Sequence, residues 1–277
     1  MNLPPMASCQ MRQLPFGHWE KSWHLCSGLE PAAPRRLTAK PGPSILTESQ
    51  FTRASEMPSQ AQINHFCAHP EQFMKCNAIK WLGKGPEDQA IIDVAMFDET
   101  GQKARVRTGS KALGLGNAKA DADKFILKWA NNPSNPVHPG TFTFKAHWSG
   151  YKAGQGRDAN LPSAGGPDIM LTPEFTGCTA VCRTNAGGDA QFSHYNLMST
   201  ADPTTTLDDD SMRAVASKAY GGGHSTMTKG DVRAYGKHSE AVRATVVGYR
   251  RAGRWEFWAQ LRESKASGEQ IRAVVQL

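Results

Sequence analysis

The stretch AVRATVVGYRRAGRWEFWAQLRES, residues 241–264, alternates apolar and polar side chains on both sides of an Arg251-Ala252-Gly253 break. Alternation with a period of two fits a half-buried strand and not a helix. A glycine-bearing break between two such runs folds them back on each other as a hairpin. A last strand, QIRAVVQL, follows. Sheet built this way has one apolar face to bury, and another layer must cover it.

The same reading extends upstream. In QAIIDVAMFDETGQKARVRTG, Ile92, Val94 and Met96 alternate, Glu99-Thr100-Gly101 reads as a turn, and Ala104 and Val106 alternate back, which predicts a hairpin. GTFTFKAHWSGY alternates at Phe142, Phe144, Ala146 and Trp148. DIMLTPEFTGCTAVCRT and AQFSHYNLMST read as two more strands. Helices are expected at three places: after Ser59, over NAKADADKFILKWANN, and over LDDDSMRAVASKAYGGG, where aspartates favour the start and glycines the stop. GYKAGQGRDANLPSAGGP, residues 150–167, reads as one long glycine- and proline-rich loop. Strands dominate and are mostly joined by hairpins, so the fold class is α+β with mixed or antiparallel sheets. Residues 1–60, rich in proline, serine and small side chains, read as a disordered or loosely attached leader, and residues 61–277 as one domain. The first residues lack the apolar core of a classical signal peptide, and no apolar run is long enough to span a membrane.

The net charge is +7, and residues 212–277 alone carry twelve Lys or Arg against five Asp or Glu. The basic residues, Arg233, Arg243, Arg250, Arg251, Arg254 and Arg262 among them, are scattered, which reads as a solvated basic face more than a nucleic-acid site. The six cysteines show no disulfide spacing, so reduced thiols are expected. His65, Cys67, His69 and Cys76 are close in sequence but fit no standard zinc pattern. ALGLGNA and GGGHSTMTKGD fall short of dinucleotide and phosphate loops. His147, His224 and His238 are pocket candidates or ordinary histidines.

The stretch richest in chemistry is LTPEFTGCTAVCRTNAGGDAQFSHYNL, residues 171–197. If its two halves pair across NAGGDA, the numbers of opposed residues sum to 372 or 374, depending on where the turn is centred. In the first register Cys178 faces His194; in the second His194 faces Ala180, one diagonal step from Cys178. Both sums are even, so thiol and imidazole share a sheet face. A thiolate is a strong nucleophile, and an imidazole beside it can take and return its proton. Gly177 leaves space beside the sulfur and lets backbone N–H groups face a developing oxyanion. Thr172, followed by the ladder-breaking Pro173, is a candidate to orient the ring. A buried structural thiol with an ordinary histidine is the alternative. Cys182, on the same face, reads as packing.

Thr172-Pro173-Glu174-Phe175-Thr176-Gly177-Cys178, the glycine-rich loop and His194 together resemble the active-site motif of bacterial glutamine deamidases. These are the Burkholderia lethal factor and cytotoxic necrotizing factor toxins, with chemoreceptor glutamine deamidases as distant relatives. The resemblance covers about 25 residues. Thr176 stands where serine is usual, and the Cys-to-His spacing is longer than in the lethal factor. The resemblance implies Cys178 as nucleophile, His194 as base and acid, and Thr172 as the orienting residue, with Gly177 and Thr176 supporting the oxyanion. It implies a β-sandwich-like core of mixed sheets flanked by helices. It further implies no metal or organic cofactor, and as partner a folded target protein presenting a glutamine. The chain would then be a monomeric effector, secreted without a classical signal peptide and acting in a host cytoplasm. Two other classes stay open: a cysteine hydrolase or peptidase of another type, and a basic module binding nucleic acid or an acidic protein.

Overall fold

A computed structural model describes residues 57–277 except 84, 88–89, 109–117, 135, 153, 200–204, 234–241 and 266–267. The leader up to residue 56, with Cys9 and Cys26, His238 and most of ALGLGNA lie outside the described residues. The chain is α+β, as expected, with two mixed or antiparallel sheets and four helices among the described residues.

Two short helices come first, α1 (Gln60–Ala68) and α2 (Pro70–Cys76). Ser59 and Gln62 close a reciprocal capping box on α1, a device that satisfies two backbone donors left over at the helix start. Strands β1 (Ala78–Trp81), β2 (Ile91–Thr108), β3 (Ala118–Trp129), β4 (Thr143–Trp148) and β6 (Ile169–Leu171) join β10 (Val242–Arg251), β11 (Arg254–Lys265) and β12 (Gly268–Gln276) in an eight-stranded sheet of order β1-β3-β2-β12-β11-β10-β6-β4. The sheet curls until β4 pairs back onto β2. Its concave face buries Ile92, Val94, Met96, Phe125 and Leu127 against Phe66, Phe73 and Met74 of the two helices.

A second sheet, of order β5-β8-β7-β9, contains β5 (Gly156–Leu161), β7 (Thr179–Thr184), β8 (Ala190–Tyr195) and β9 (Ser225–Met227). Its inner face packs on the opposite side of β10 and β11. Ala180, Cys182 and Phe192 meet Val242, Ala244, Val246, Trp255, Phe257 and Leu261 there. Alternation assigns the faces: along β10, Ala244 and Val246 look toward the small sheet while Val247 and Tyr249 look into the curl. Helix α3 (Asp209–Tyr220) covers the outer face of the small sheet through Met212, Ala216 and Tyr220 on Val181 and Tyr195. Asp208 caps α3 by accepting from the Ser211 N–H at 2.7 Å, worth about 1 kcal/mol. A short α4 (Lys229–Arg233) follows β9.

Four sequence expectations are corrected. The segment 118–129 is a strand, not a helix. Its run Phe125, Ile126, Leu127 is buried because β3 lies between β2 and the parallel β1, and a short apolar run covered on both faces has no period that separates strand from helix. Residues 91–108 form one strand instead of a hairpin. The Glu99-Thr100-Gly101 signal marks a bulge, where the pairing to β3 jumps between Asp98 and Lys103. The long loop 150–167 contains an edge strand, β5, held by six residue pairs to β8. There Gly156 is required, since a Cβ would lie 2.4 Å from the Tyr195 ring. Phe142, expected on a half-buried strand, is exposed and precedes β4. The β10–β11 hairpin turns at Ala252 and Gly253, both at positive φ, as the sequence indicates.

Candidate active site

Thr172 follows β6 directly, and Pro173 ends that ladder because it has no N–H to donate. The chain then runs along β10, where Phe175 exchanges two backbone hydrogen bonds with Ala244 at 2.8 and 3.0 Å. It next crosses into the small sheet, reaching Cys178 one residue before β7. The crossover segment 172–178 therefore bridges the two sheets and delivers Thr172, Phe175 and Cys178 to the gap between them.

Glu174 anchors this crossover. It is ion-paired to Arg262, which is 1% exposed and also paired to Glu269. Arg243 reaches the other Glu174 oxygen at 3.4 Å, and Arg262 donates to Thr245 Oγ1 at 3.1 Å. Breaking one partner of such a buried pair leaves an uncompensated charge and costs about 3–5 kcal/mol.

Across the gap stands His194 on β8. Its partner on β7 is Ala180, and Thr179 pairs with Tyr195, which is the register whose numbers sum to 374. The methyl group of Ala180 leaves room for the ring. Phe175 stacks on the imidazole at 4.0 Å with an 18° interplanar angle, and Tyr151 meets it edge-on at 5.4 Å. Thr172 Oγ1 and His194 Nδ1 are hydrogen-bonded at 2.8 Å. The other nitrogen, Nε2, is buried without a hydrogen-bond partner, a condition that costs about 1–3 kcal/mol. The orienting contact expected of Thr172 is present.

Cys178 belongs to the same buried cluster as Ala180 and Cys182, so the thiol and the imidazole do lie on one face, as parity requires. An extended ladder would place them a diagonal step apart, roughly 7–8 Å between Cα atoms. No hydrogen bond joins them in this conformation, since Nε2 is unpartnered. Nor do they face solvent: His194 is 0% and Cys178 7% exposed. Burial holds the imidazole down to about 3, so it is neutral at physiological pH. Burial pushes the Cys178 thiol up to about 11, while the Gly177 N–H and the Lys229 ammonium pull the other way. Thr176 is exposed and Gly177 half-buried beside the sulfur. Cys182 is pushed further, to about 12, again by burial, in keeping with a packing role.

Two residues of this neighbourhood have no signature in the sequence. Tyr151, 41% exposed, lies over His194 with its hydroxyl accepting from Asn196 Nδ2 at 2.8 Å. Burial first, and the nearby Cys178 sulfur second, raise the Tyr151 phenol. Lys229 lies with Nζ 3.9 Å from where a Cβ on Gly177 would sit. Both come from segments far from the motif, and no spacing rule connects them to it.

The remaining candidates do not assemble. No group of three or more metal-capable His, Cys, Asp or Glu side chains forms among the described residues. The basic residues divide: Arg262 is buried in ion pairs with Glu174 and Glu269 and Arg250 is tied to Asp168 and loop carbonyls, whereas Arg243, Arg251 and Arg254 are exposed, as a solvated face requires. His147 is buried against Trp255, and His224 bonds the Gly221 carbonyl at the end of α3. No helix among the described residues is long and apolar enough to cross a membrane. No family model matches the chain, and no curated protein matches it.

Proposed function

We propose that this chain is a cysteine-dependent protein-glutamine deamidase, with Cys178 as nucleophile, His194 as base and acid, and Thr172 as the residue that orients the ring. The observation that carries the reading is the 2.8 Å Thr172–His194 bond, which ties up Nδ1 and leaves Nε2 bare on the face that also bears Cys178. With Nδ1–H donating to the threonine oxygen, Nε2 is the nitrogen able to accept a proton.

The neutral imidazole and neutral thiol set the order of events. Nε2 takes the S–H proton as sulfur attacks the glutamine carboxamide carbon. The S–C bond forms and the carbonyl electrons move to oxygen, where backbone N–H groups near Gly177 and Cys178 stabilise the oxyanion. The C–N bond then breaks, the imidazolium proton goes to the leaving nitrogen, and ammonia departs. Water, deprotonated by the same nitrogen, attacks the thioester carbon; the S–C bond breaks, glutamate is left, and the proton returns to sulfur. An amine in place of water gives transglutamination. The target is a folded protein, and in this reading the chain acts as an effector inside a host cell.

Tyr151 closes the site, so docking of the target must displace it. That requirement separates this reading from its rival, a thiol and a histidine that only pack, which the burial of both favours. In the rival, opening Tyr151 exposes nothing reactive. The test is ammonia release from eukaryotic cell lysate by the wild-type protein and by Cys178→Ser, with folding checked by circular dichroism. Release that persists in the serine variant rejects the assignment. A basic binding module would have to do without Arg262, which is buried in ion pairs.

A further inference from the structure

We infer that Lys229 is the cation of this site, a positioning residue that stabilises the thiolate form of Cys178 through the turn at Gly177. Three observations converge. First, Lys229 Nζ lies 3.9 Å from the position of a Cβ on Gly177, the residue immediately before the sulfur. Second, Lys229 makes no ion pair with a carboxylate among the described residues, whereas the neighbouring Arg213 is paired to Asp231 at 2.5 Å. An ammonium with no carboxylate of its own is free to respond to a charge on sulfur.

Third, the backbone that carries Lys229 is pinned on both sides. The Thr228 N–H and hydroxyl donate to Asp231 at 2.7 and 3.0 Å. The Gly230 N–H donates to Asp209 at 2.8 Å, an approach so close that a Cβ on Gly230 would lie 2.0 Å from that oxygen. The two aspartates hold the turn through backbone groups and leave the lysine side chain to cross toward Gly177. The direction of the effect agrees, because the ammonium lowers the thiol against the burial that raises it.

The groups facing Cys178 come from several elements. Lys229 comes from α4, Tyr151 from the segment before β5, and His194 from β8; Asp209 and Asp231 stand behind the lysine. Of these, Lys229 carries the basic side chain. A compact charge beside the residue that precedes a buried sulfur acts through little water and is weakly screened. Its role in turnover rests on the deamidase reading, but its effect on the sulfur does not.

The test is a pH titration of thiolate ultraviolet absorbance, taken as the difference between each protein and its Cys178→Ser counterpart, for wild type, Lys229→Met, Lys229→Gln and Lys229→Arg. The expected result is a midpoint about one pH unit higher in the methionine and glutamine variants, roughly tenfold less thiolate at a given pH. The arginine variant should stay near wild type. Equal midpoints in wild type, Lys229→Met and Lys229→Gln overturn the inference, as does an arginine variant that behaves like methionine. Ammonia release is measured on the same proteins. A shifted midpoint without any release from lysate by the wild type sinks the deamidase reading and leaves the lysine's role intact.

Discussion

At its turn end, the β7–β8 hairpin borders a cleft of about 570 Å³ lined by Asn160, Arg183, Asn185, Asp189 and Gln191. At its open end, some 20 Å away along six residues of strand, it carries Cys178 and His194 with almost no space around them. The turn end has room but no nucleophile. Its polar groups satisfy one another: Gln191 donates to Asn160 at 3.2 Å, Arg183 to the Tyr220 carbonyl at 2.6 Å, and the Ser163 N–H to Asp189 at 2.6 Å. The open end has a thiol and an unsatisfied imidazole nitrogen, and a tyrosine in the way. In this chain, cavity size and reactive chemistry separate, so an open conformation of the second end is what the account requires. A mutually satisfied polar cleft gives no comparable reason for change.

The largest expected contrast comes from truncating each end. Cys178→Ser should reduce ammonia release from lysate by at least about a thousandfold, on the scale of losing a catalytic nucleophile, while Arg183→Ala should leave it within about twofold. A comparable loss from Arg183→Ala would move the site to the cleft.

His194→Gln should cost on the order of 10²–10⁴ in turnover, and it makes a second, independent mark on stability. The histidine's folded value lies near 3, below the 6.5 of an unfolded chain. Between these values the unfolded state binds the extra proton, so stability is full above about pH 6.5 and falls as pH drops toward 3. Urea titrations of the wild type across that window should show a slope of about 1.4 kcal/mol per pH unit that His194→Gln lacks. His147, also held down by burial, adds to the slope in both proteins. Identical slopes would mean that the ring is not buried neutral.

Tyr151→Ala removes one hydrogen bond and one ring contact. A net loss of about 1–1.5 kcal/mol corresponds to roughly tenfold more of the open form. Alkylation of Cys178 by a neutral reagent, mapped by peptide mass spectrometry, should quicken by that factor, with Cys182 unchanged. Equal acceleration at both cysteines would indicate general loosening. The smallest effect is expected of Thr172→Val, which keeps the shape and loses the hydroxyl. Turnover should fall about fivefold, matching about 1 kcal/mol for a hydrogen bond that only orients, with little change in the acid slope.

Much of the open end was legible in the residues. Parity puts Cys178 and His194 on one face in either of the two even registers, and a one-residue slip would have parted them. Thr172, six residues upstream, stands where the ring needs a partner. The choice of register was not legible, because it depends on the turn. Asn185 and Asp189 close it with a 2.8 Å bond. Gly188 sits at positive φ against the Gly253 carbonyl, where a Cβ would lie 2.1 Å away, so the tip of one hairpin fixes the other. The burial of His194 was not legible in the hairpin either, because the rings packed on it, Phe175 and Tyr151, come from outside it. Arg262 shows the limit of reading charge along a chain. It looked like part of a solvated basic face, but its partner Glu174 is 88 residues away in sequence, and only the crossover of segment 172–178 brings them together. β3 and β5 became strands through neighbours that local pattern does not name.

The most direct test of the central claim is ammonia release from eukaryotic cell lysate, measured side by side for wild type, Tyr151→Ala and Cys178→Ser. The account predicts release by the first two and none by the third. Equal release by all three proteins, or none by any of them, would contradict it.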